Sequence, residues 1–285
     1  MTPWLLATAL AQPVLVELVD AGDEPLRALA LSPTVGIQEQ AVLELTLSAR
    51  TQGGGMSAAG GDLPKLTLDL EAEVVEVDEN IRYRLAVTNA AAASTGNEDL
   101  DPALAETLAP LVGMTGVVEV TRRGEEVQED WSAPDGVDGQ IVEELRKSMA
   151  FALPVLPAEP VGKGGKWTVT RPIDDQGFEV TQVETWTVAE MTGQGVTLHT
   201  VVKQQAVTGQ PVTAGLPEGM VATLDRHLGI GEGAYVVDDG HLLPRSAVEG
   251  MTVKFKLAID QDGEASQLST IVGHELSLKR DATTP

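Results

Sequence analysis

Hydrophobic and polar residues alternate along most of this chain. The clearest run is residues 251–259, where Met, Val, Phe, Leu and Ile occupy every second position. The same alternation recurs at 43–47, 66–74, 83–87 and 196–202. Successive side chains of a β-strand point to opposite faces of a sheet, so this pattern is typical of antiparallel strands with one buried face. Turn residues separate the runs at 78–80, 123–124, 193–195, 239–240 and 262–263.

The alternation predicts a mainly β protein whose antiparallel sheet or sheets form an open barrel or a sandwich, and the pattern does not decide between the two. Three segments break the alternation and predict two or three short helices, at 101–112, 137–151 and 217–228. The first begins with Asp101-Pro102 and the third with Pro217, and a glycine follows each, as is common for helices. Residues 51–65 are rich in glycine and predict a flexible loop.

Two windows of the chain resemble each other. Residues 104–127 and 220–243 share identical residues at aligned positions, and a predicted hairpin precedes each, at 66–90 and 179–208. Each window reads as helix, glycine stop, strand, tight turn and strand. A duplication that gives pseudo-repeats at about 63–133 and 176–250 is one explanation, and independent use of the same turn chemistry is the other.

The predicted organisation is a single β-rich domain over residues 12–285. Its halves are joined by the helix at 137–151 and a Pro/Gly hinge at 153–166. Residues 4–11 form a short apolar run that ends in Ala9-Leu10-Ala11, which predicts a signal peptide over 1–11 and a periplasmic or secreted protein. No Lys or Arg precedes Arg27, so the basic start of a signal peptide is missing. Either the true start lies upstream or the run is a buried first strand. No segment approaches the ~20 apolar residues of a transmembrane helix.

Composition narrows the possible functions. The formal net charge is −24, from 43 acidic and 19 basic residues, which disfavours nucleic acid and anionic membranes as partners. The acidity fits a solubilising surface, and cation binding is the alternative. Aromatic residues make up 3% of the chain, too few for stacked carbohydrate platforms. The absence of cysteine excludes disulfides, thiol catalysis and Cys-type zinc sites.

The stretch "PVLPAEPVGKGGKW", residues 154–167, superficially suggests a phosphate-binding loop. A Walker loop needs Ser or Thr after its lysine and a helix after that, whereas Trp167 follows Lys166 and the next residues alternate like a strand. The sequence predicts instead that prolines 154, 157 and 160 hold an extended segment. Glycines then turn it into a strand that buries Trp167, and its lysines are solvated.

Other motifs are incomplete, and the sequence predicts no catalytic, cofactor-binding or metal site. Ser57 lacks the second glycine of a nucleophile elbow. His274 begins "HELSL", which lacks the second histidine of a zincin. The other histidines, at 199, 227 and 241, have no metal-ligand spacing, although distant histidines can meet in space. His227 is expected at the end of a helix. Calcium at the acidic segments 97–101, 238–240 and 260–264 stays open, although none is an EF-hand.

The same proline- and glycine-rich stretch carries a resemblance. "LPVLPAEPVGKGGKW" is similar to the P-L-P-x-x-P-V-G-x-G-x-x-W signature of a family of secreted β-rich domains of unknown function, common in myxobacteria and relatives. Gly231, Gly233, Asp239 and Leu243-Pro244 resemble a later segment of that family. Many members carry a lipoprotein cysteine, which this chain lacks. The resemblance implies an exported β protein without an assigned activity.

Together these observations predict a non-catalytic cell-envelope protein with a binding or structural role and no cofactor. The sharper hypothesis is that a curved sheet encloses an apolar small molecule or lipid, and the simpler one is a packed sandwich that acts through its surface. The alternative is a hydrolase with paired carboxylates, whose separation the sequence cannot give. A large apolar cavity would favour a carrier, and a polar cleft with two buried carboxylates would favour an enzyme.

Overall fold

The computed structural model describes residues 14–53, 56–135, 137, 139, 142, 146, 148, 149, 152–175, 178–212, 220–261 and 264–281. The protein is mainly β, as predicted. Its strands are β1 (Leu15–Asp20), β2 (Asp23–Arg27), β3 (Gln38–Gly53), β4 (Met56–Asp62), β5 (Leu66–Val77), β6 (Asn80–Ala92), β7 (Thr115–Thr121), β8 (Glu126–Ser132), β9 (Val161–Lys163), β10 (Lys166–Asp175), β11 (Phe178–Thr192), β12 (Gly195–Ala206), β13 (Pro211–Val212), β14 (Met220–Asp238), β15 (Ser246–Gln261) and β16 (Glu264–Arg280). Helix α1 (Leu100–Leu108) continues into a 3₁₀ turn, Ala109–Leu111.

One antiparallel sheet contains 14 of these strands. Its order is β1-β10-β11-β12-β14-β15-β16-β3-β5-β6-β7-β8, with β4 beside β3 and β13 beside β14. Strands β2 and β9 form a separate pair. The order is a path with two ends, β1 and β8, so the sheet is open, as the sequence predicts.

The sheet curves so that its two ends approach each other. A large core cluster takes buried side chains from β5, β6 and β7 near one end and from β10, β11 and β12 near the other. Val14, next to β1, and Tyr83 on β6 line the same cleft. A small core cluster lies towards the other end of strands β11, β12, β14 and β15. The inner, concave face of the sheet is therefore the buried one.

The proline- and glycine-rich stretch behaves as predicted. After the buried segment 152–157, Gly164 adopts a φ of 80°, which favours glycine, and β10 begins at Lys166. Trp167 is fully buried, and its indole N–H donates to the carbonyl of Val155 at 2.8 Å. Lys163 and Lys166 are exposed. This hydrogen bond thus holds β10 against the proline-rich segment that precedes it.

Two of the three predicted helices have support. Helix α1 with its 3₁₀ turn corresponds to the prediction at 101–112. Within 137–151, positions 139, 142, 146, 148 and 149 are helical, and most other positions lie outside the described residues. The helix predicted at 217–228 is wrong from residue 220 onwards, because Met220–Asp238 is strand β14.

A bulge explains this error. The register of β14 against β15 shifts between Leu224 and Arg226, so buried positions run Ala222, Leu224, His227 and Gly229. The extra residue breaks the alternation and imitates helical spacing. The order of helix, glycine, strand, turn and strand, predicted for both similar windows, is therefore absent from the second window, residues 220–243. There, β14 replaces the helix. The turn glycines do correspond, since Gly124 and Gly240 both have a φ of 81°.

The predicted loop at 51–65 is also wrong, because β3 extends to Gly53 and β4 pairs with it. Its glycines allow close contact between strands. A Cβ on Gly60 would lie 2.0 Å from the carbonyl oxygen of Ala49. The predicted signal peptide at 1–11 lies outside the described residues. None of the helices in the described part of the chain is long and apolar enough to cross a membrane.

Candidate functional site

A layer of polar side chains interrupts the buried inner face between the two core clusters. We call it the polar layer. Strands β10, β11, β12, β14 and β15 place these residues at inward positions that the alternation would give to apolar side chains. Its members are Arg171, Gln182, Glu184, Thr200, Gln204, Tyr235 and Glu249.

Glu184 is the centre of the larger network in the polar layer. One carboxylate oxygen accepts from Arg171 at 2.6 Å and from the Gln182 amide at 2.8 Å. The other accepts from the indole N–H of Trp186 at 2.9 Å. Gln204 donates to the Gln182 carbonyl oxygen at 2.7 Å. A carboxylate that is 3% exposed is thus held by an arginine and two neutral donors.

Glu249 and Tyr235 form a second buried pair in the polar layer. The Tyr235 hydroxyl donates to Glu249 at 2.6 Å, and its ring contacts Trp186 with centroids 4.9 Å apart. Burial raises the pKa of Glu249 to about 7, and the charge of Glu184 adds to that shift. Burial and the adjacent carboxylates raise the pKa of the Tyr235 phenol well above its usual value. Glu249 therefore titrates near neutral pH.

Three glycines of β14 face the polar layer at Gly229, Gly231 and Gly233. Side chains and backbone of the neighbouring strands occupy the space that their Cβ atoms would fill. A Cβ on Gly229 would lie 2.6 Å from the Gln204 side chain, and one on Gly233 would lie 2.9 Å from the Val248 carbonyl oxygen. The glycine strip lets these neighbours pack closely across β14 and leaves no open groove there.

A cleft lies at the seam where the two ends of the sheet approach each other. We call it the seam cleft, and its cavity measures about 60 Å³, the volume of about two water molecules. Strands β6, β7 and β8 form one wall, and Arg171 on β10 belongs to the other. The lining residues are Val14, Tyr83, Leu85, Val118, Val120, Gly124, Glu125, Glu126, Glu129, Trp131, Arg146, Met149, Leu153, Val155 and Arg171.

Most of the charged groups of the seam cleft pair with one another or with close neighbours. Glu129 forms an ion pair with Arg146 and accepts from the Trp131 indole at 2.8 Å. Glu125 pairs with Arg123 at 3.4 Å. Arg171 links the cleft to the polar layer, because its guanidinium also binds Glu184. The cleft thus combines apolar walls with carboxylates and guanidiniums that already have partners.

Tyr83 differs from these charged groups in its hydrogen bonding. It is 6% exposed, and among the described residues its hydroxyl has no hydrogen-bond partner. Burial and the charges of Glu126 and Glu129, which line the same cleft, raise the pKa of its phenol. Arg171 also has a buried Nε–H that finds no acceptor in the described part of the chain. Because that Nε atom is itself buried, Tyr83 is the one of these two residues that offers a free polar group to the cleft.

A second cavity of about 180 Å³ lies at the β5–β6 turn, lined by Glu76, Asp78, Glu79, Asn80, Arg82 and Glu119. The Asn80 amide donates to Glu119 at 2.6 Å, and Arg122 donates to the Asp78 carbonyl oxygen at 2.8 Å. No group of three or more His, Asp or Glu side chains among the described residues is arranged to hold a metal ion.

The histidines are dispersed over the sheet. His199 is exposed on the outer face of β12, and His274 lies on strand β16 and not on the helix that a zincin motif requires. His241 follows a turn and contacts buried Glu39 at 3.0 Å. His227 does not end a helix. It is buried in β14, where the ring of Phe178 packs against it edge-on at 5.5 Å.

The acidic turns bind the protein's own donors. Asp238 accepts from Arg245 at 2.5 Å and from Arg280 at 2.6 Å, so protein cations occupy its oxygens. Asp101 accepts from Ser94 and Thr95, which lowers the pKa of its carboxyl to about 2. The turn at 262–263 in the third acidic segment lies outside the described residues. Ser57 lies within strand β4, which is not the strand-to-helix turn of a nucleophile elbow.

The sequence interpretation missed Tyr83, Arg171, Glu184 and Glu249. A signal for Glu249 was present, because extending the alternation of 251–259 backwards by one step puts a carboxylate on the buried face. Glu184 also lies on the buried face of its strand, at an alternating position between buried Val180 and Val188 of β11. Tyr83 gave no such signal, since an inward tyrosine is normal in a strand.

Comparison with known proteins adds no identity, because no protein-family model and no curated protein matches the chain.

Proposed function

We propose that this is a non-catalytic binding protein of the cell envelope whose ligand site is the seam cleft. The observation that carries the proposal is Tyr83, a mostly buried side chain that lines an otherwise largely apolar cleft and brings a hydroxyl to it. A tyrosine hydroxyl can donate one hydrogen bond and accept another, so a ligand in the cleft can bind to it directly. The placement in the envelope rests on the predicted signal peptide and the family resemblance.

The dimensions of the cleft decide which version of the binding hypothesis is favoured. Ligand pockets of drug-sized molecules measure about 300–1,000 Å³, whereas the seam cleft measures about 60 Å³. The inner face beside it is filled by the large core cluster and the polar layer. We therefore favour a small molecule, or the apolar end of a larger one, over an enclosed lipid.

The pairing of the charged groups supports a binding role over a catalytic one. Glu129 and Arg146 neutralise each other, and Arg171 is bound to Glu184. A general acid or base needs access to the proton that it transfers. In the seam cleft the carboxylates of Glu125 and Glu129 are paired with guanidiniums, so neither is free to exchange a proton with a substrate.

Native mass spectrometry of protein purified from its own host, with extraction of small molecules, tests the proposal. We expect a co-purifying compound, and we expect Val120→Met to abolish its retention because the larger side chain fills the cleft. Val202→Met is the matched control, since it adds the same volume at a buried position of the small core cluster. Equal retention in both variants, or a protein that carries nothing and binds nothing in a fragment screen, would contradict the proposal.

A hydrolase that uses paired carboxylates is the second candidate. Glu184 and Glu249 are both buried, and the pKa of Glu249 is raised to about 7, as in a general acid. Neither residue lines the seam cleft or the cavity at the β5–β6 turn. Assays with chromogenic glycosides and esters separate the two functions. Turnover that disappears in both Glu184→Gln and Glu249→Gln would favour the hydrolase, and equal background rates would exclude it for those substrates.

A further inference from the structure

A group of basic side chains without ion-pair partners lies on the outer face of the sheet. We call it the basic patch, and its members are Arg226 on β14, Lys254 and Lys256 on β15, and Arg50 on β3. All four are exposed, and none forms an ion pair within the described part of the chain. Several exposed cations elsewhere are paired, as Lys65 is with an exposed glutamate.

Strand register places two of these cations against each other. Arg226 lies directly opposite Lys256, and like charges so placed destabilise a sheet. Asp225, which precedes Arg226 in the bulge of β14, accepts from Gln267 at 3.0 Å and forms no ion pair with either cation. The chain has 43 acidic and 19 basic residues, so partners of opposite charge are abundant elsewhere on its surface. Anionic groups bound at the basic patch would remove the repulsion.

Two unpaired carboxylates lie on the same face, further along the same strands. Glu232 on β14 and Glu275 on β16 both lie opposite Gly250 of β15, and we call them the acidic pair. Both are exposed, and neither forms an ion pair with a described residue. Gly250 precedes Lys254 by four residues, so the row of the acidic pair lies about 13 Å from the row of Lys254. The face is thus divided into a basic half and an acidic half.

The row midway between the two halves has small or apolar side chains. Ile230, Thr252 and Gly273 lie opposite one another there, and we call them the middle row. Ile230 is 55% exposed, and Ile271 in the next row is 41% exposed. No atom lies within 4 Å of the Cβ that Gly250 lacks, so the surface is open at that position. Exposed apolar side chains among unpaired charges are typical of a protein–protein interface.

This arrangement is complementary to itself. When two copies face each other across a two-fold axis along the middle row, the rotation exchanges the basic and acidic halves. The acidic pair of each copy then lies over the row of Lys254 in the other. Lys254 and Arg50 both lie opposite Ile271, so the partner's Glu275 lies between these two cations. An anionic membrane or an acidic peptide would meet the acidic pair as well, so neither matches both halves.

We propose that two copies of this chain form a symmetric dimer through this outer face, held by reciprocal ion pairs between the basic patch and the acidic pair. Five strands ~4.8 Å apart and four rows ~6.7 Å apart cover about 600 Å² per copy, at the lower end of the range for specific interfaces. The outer face is convex, so the contact centres on β14, β15 and β16. Two chains of charge −24 repel each other, and we expect a dissociation constant of about 10–100 μM.

The test is analytical ultracentrifugation of the whole protein with a charge swap. The variant Arg226→Glu with Lys254→Glu has two acidic halves, and the variant Glu232→Lys with Glu275→Lys has two basic halves. Each alone should dimerise at least about 10-fold more weakly than the wild type, and an equimolar mixture should regain the dimer. Salt of about 0.15 M screens the repulsion between whole molecules more than it screens close ion pairs.

The matched control is Lys163→Glu, which reverses an exposed lysine on the separate β2–β9 pair and should dimerise like the wild type. A wild type that stays monomeric up to about 500 μM, well above the expected dissociation constant, would overturn the inference. Dimers that both double variants retain, or that the mixture fails to regain, would overturn it as well. Binding of a monomeric wild type to vesicles of anionic phospholipid, lost in Arg226→Glu with Lys254→Glu, would assign the basic patch to a membrane instead.

Discussion

The polar layer and the seam cleft place polar side chains on the same buried face of one sheet, and they differ in how those side chains are satisfied. In the polar layer, Tyr235 donates to Glu249, and Glu184 receives three donors. In the seam cleft, Tyr83 is as buried as many core residues, yet its hydroxyl lacks a partner among the described residues. The polar layer thus has the features of a structural network, whereas the seam cleft keeps a tyrosine hydroxyl for the ligand that we propose.

Removing the arginine that joins the two regions should have the largest effect. Arg171→Met leaves the Glu184 carboxylate buried with only neutral donors, and we expect a loss of about 3–5 kcal/mol in the free energy of unfolding. Urea denaturation measures it. Adding Glu184→Gln to this variant should restore most of the stability, because no unpaired charge then remains. A double variant as unstable as the single one would show that the arginine acts through its packing.

The titration of Glu249 is the next test. Its pKa is about 7 in the folded protein and near 4.5 in the unfolded chain, so the folded state holds the extra proton between these values. Stability from this residue is full below pH 4.5, falls as the pH rises to 7, and is constant above that. Glu249→Gln should therefore gain about 3 kcal/mol over the wild type between pH 4 and 8.

Unfolding curves across that pH range provide the measurement. Glu44→Gln is the control, because Glu44 is an exposed carboxylate that pairs with Lys65 on the surface. It should leave the pH dependence of stability nearly unchanged. Parallel curves for the wild type and Glu249→Gln would contradict a neutral Glu249 in the polar layer.

A change in the wall of the seam cleft should have a smaller effect. Gly116→Ala places a methyl group against the Trp131 ring, which must move, and we expect a loss of about 1–3 kcal/mol. Gly250→Ala on β15 is the matched control, since no atom lies within 4 Å of the Cβ that it would add. Thermal unfolding compares the two. If Gly250→Ala is equally destabilising, the effect comes from the backbone and not from the ring.

The two tyrosines give the smallest and most direct comparison. Tyr235→Phe removes the donor to Glu249 and should cost about 1–2 kcal/mol. Tyr83→Phe removes a hydroxyl without a partner, so it should leave the stability unchanged or raise it slightly. Chemical denaturation at pH 6 measures both variants. An equal loss in both would mean that Tyr83 is satisfied in the free protein and would remove the main support for the seam cleft as a binding site.

The local pattern predicted much of the fold and little of the site. The alternation at 66–74 and 251–259 predicted β5 and β15, because period two follows from the backbone of a strand. It failed at β14, where the bulge after Leu224 changes the period, and at β4, where glycines allow a strand in a sequence typical of loops. Both failures occur where the neighbouring strands, and not the local sequence, determine the backbone.

The sequence by itself determined the antiparallel β-class, the turns and the burial of Trp167, because these depend on residues close together along the chain. It also determined the acidic surface and the lack of cysteine chemistry. Only the tertiary structure decided which buried polar groups have partners. Tyr83 and Tyr235 both lie on the buried face of their strands. Strand pairing brings Glu249 to Tyr235, whereas Tyr83 faces the seam between the ends of the sheet. The partners in the polar layer lie on neighbouring strands or on the same strand, whereas the walls of the seam cleft come from opposite ends of the sheet. Only the curvature of the sheet brings those walls together.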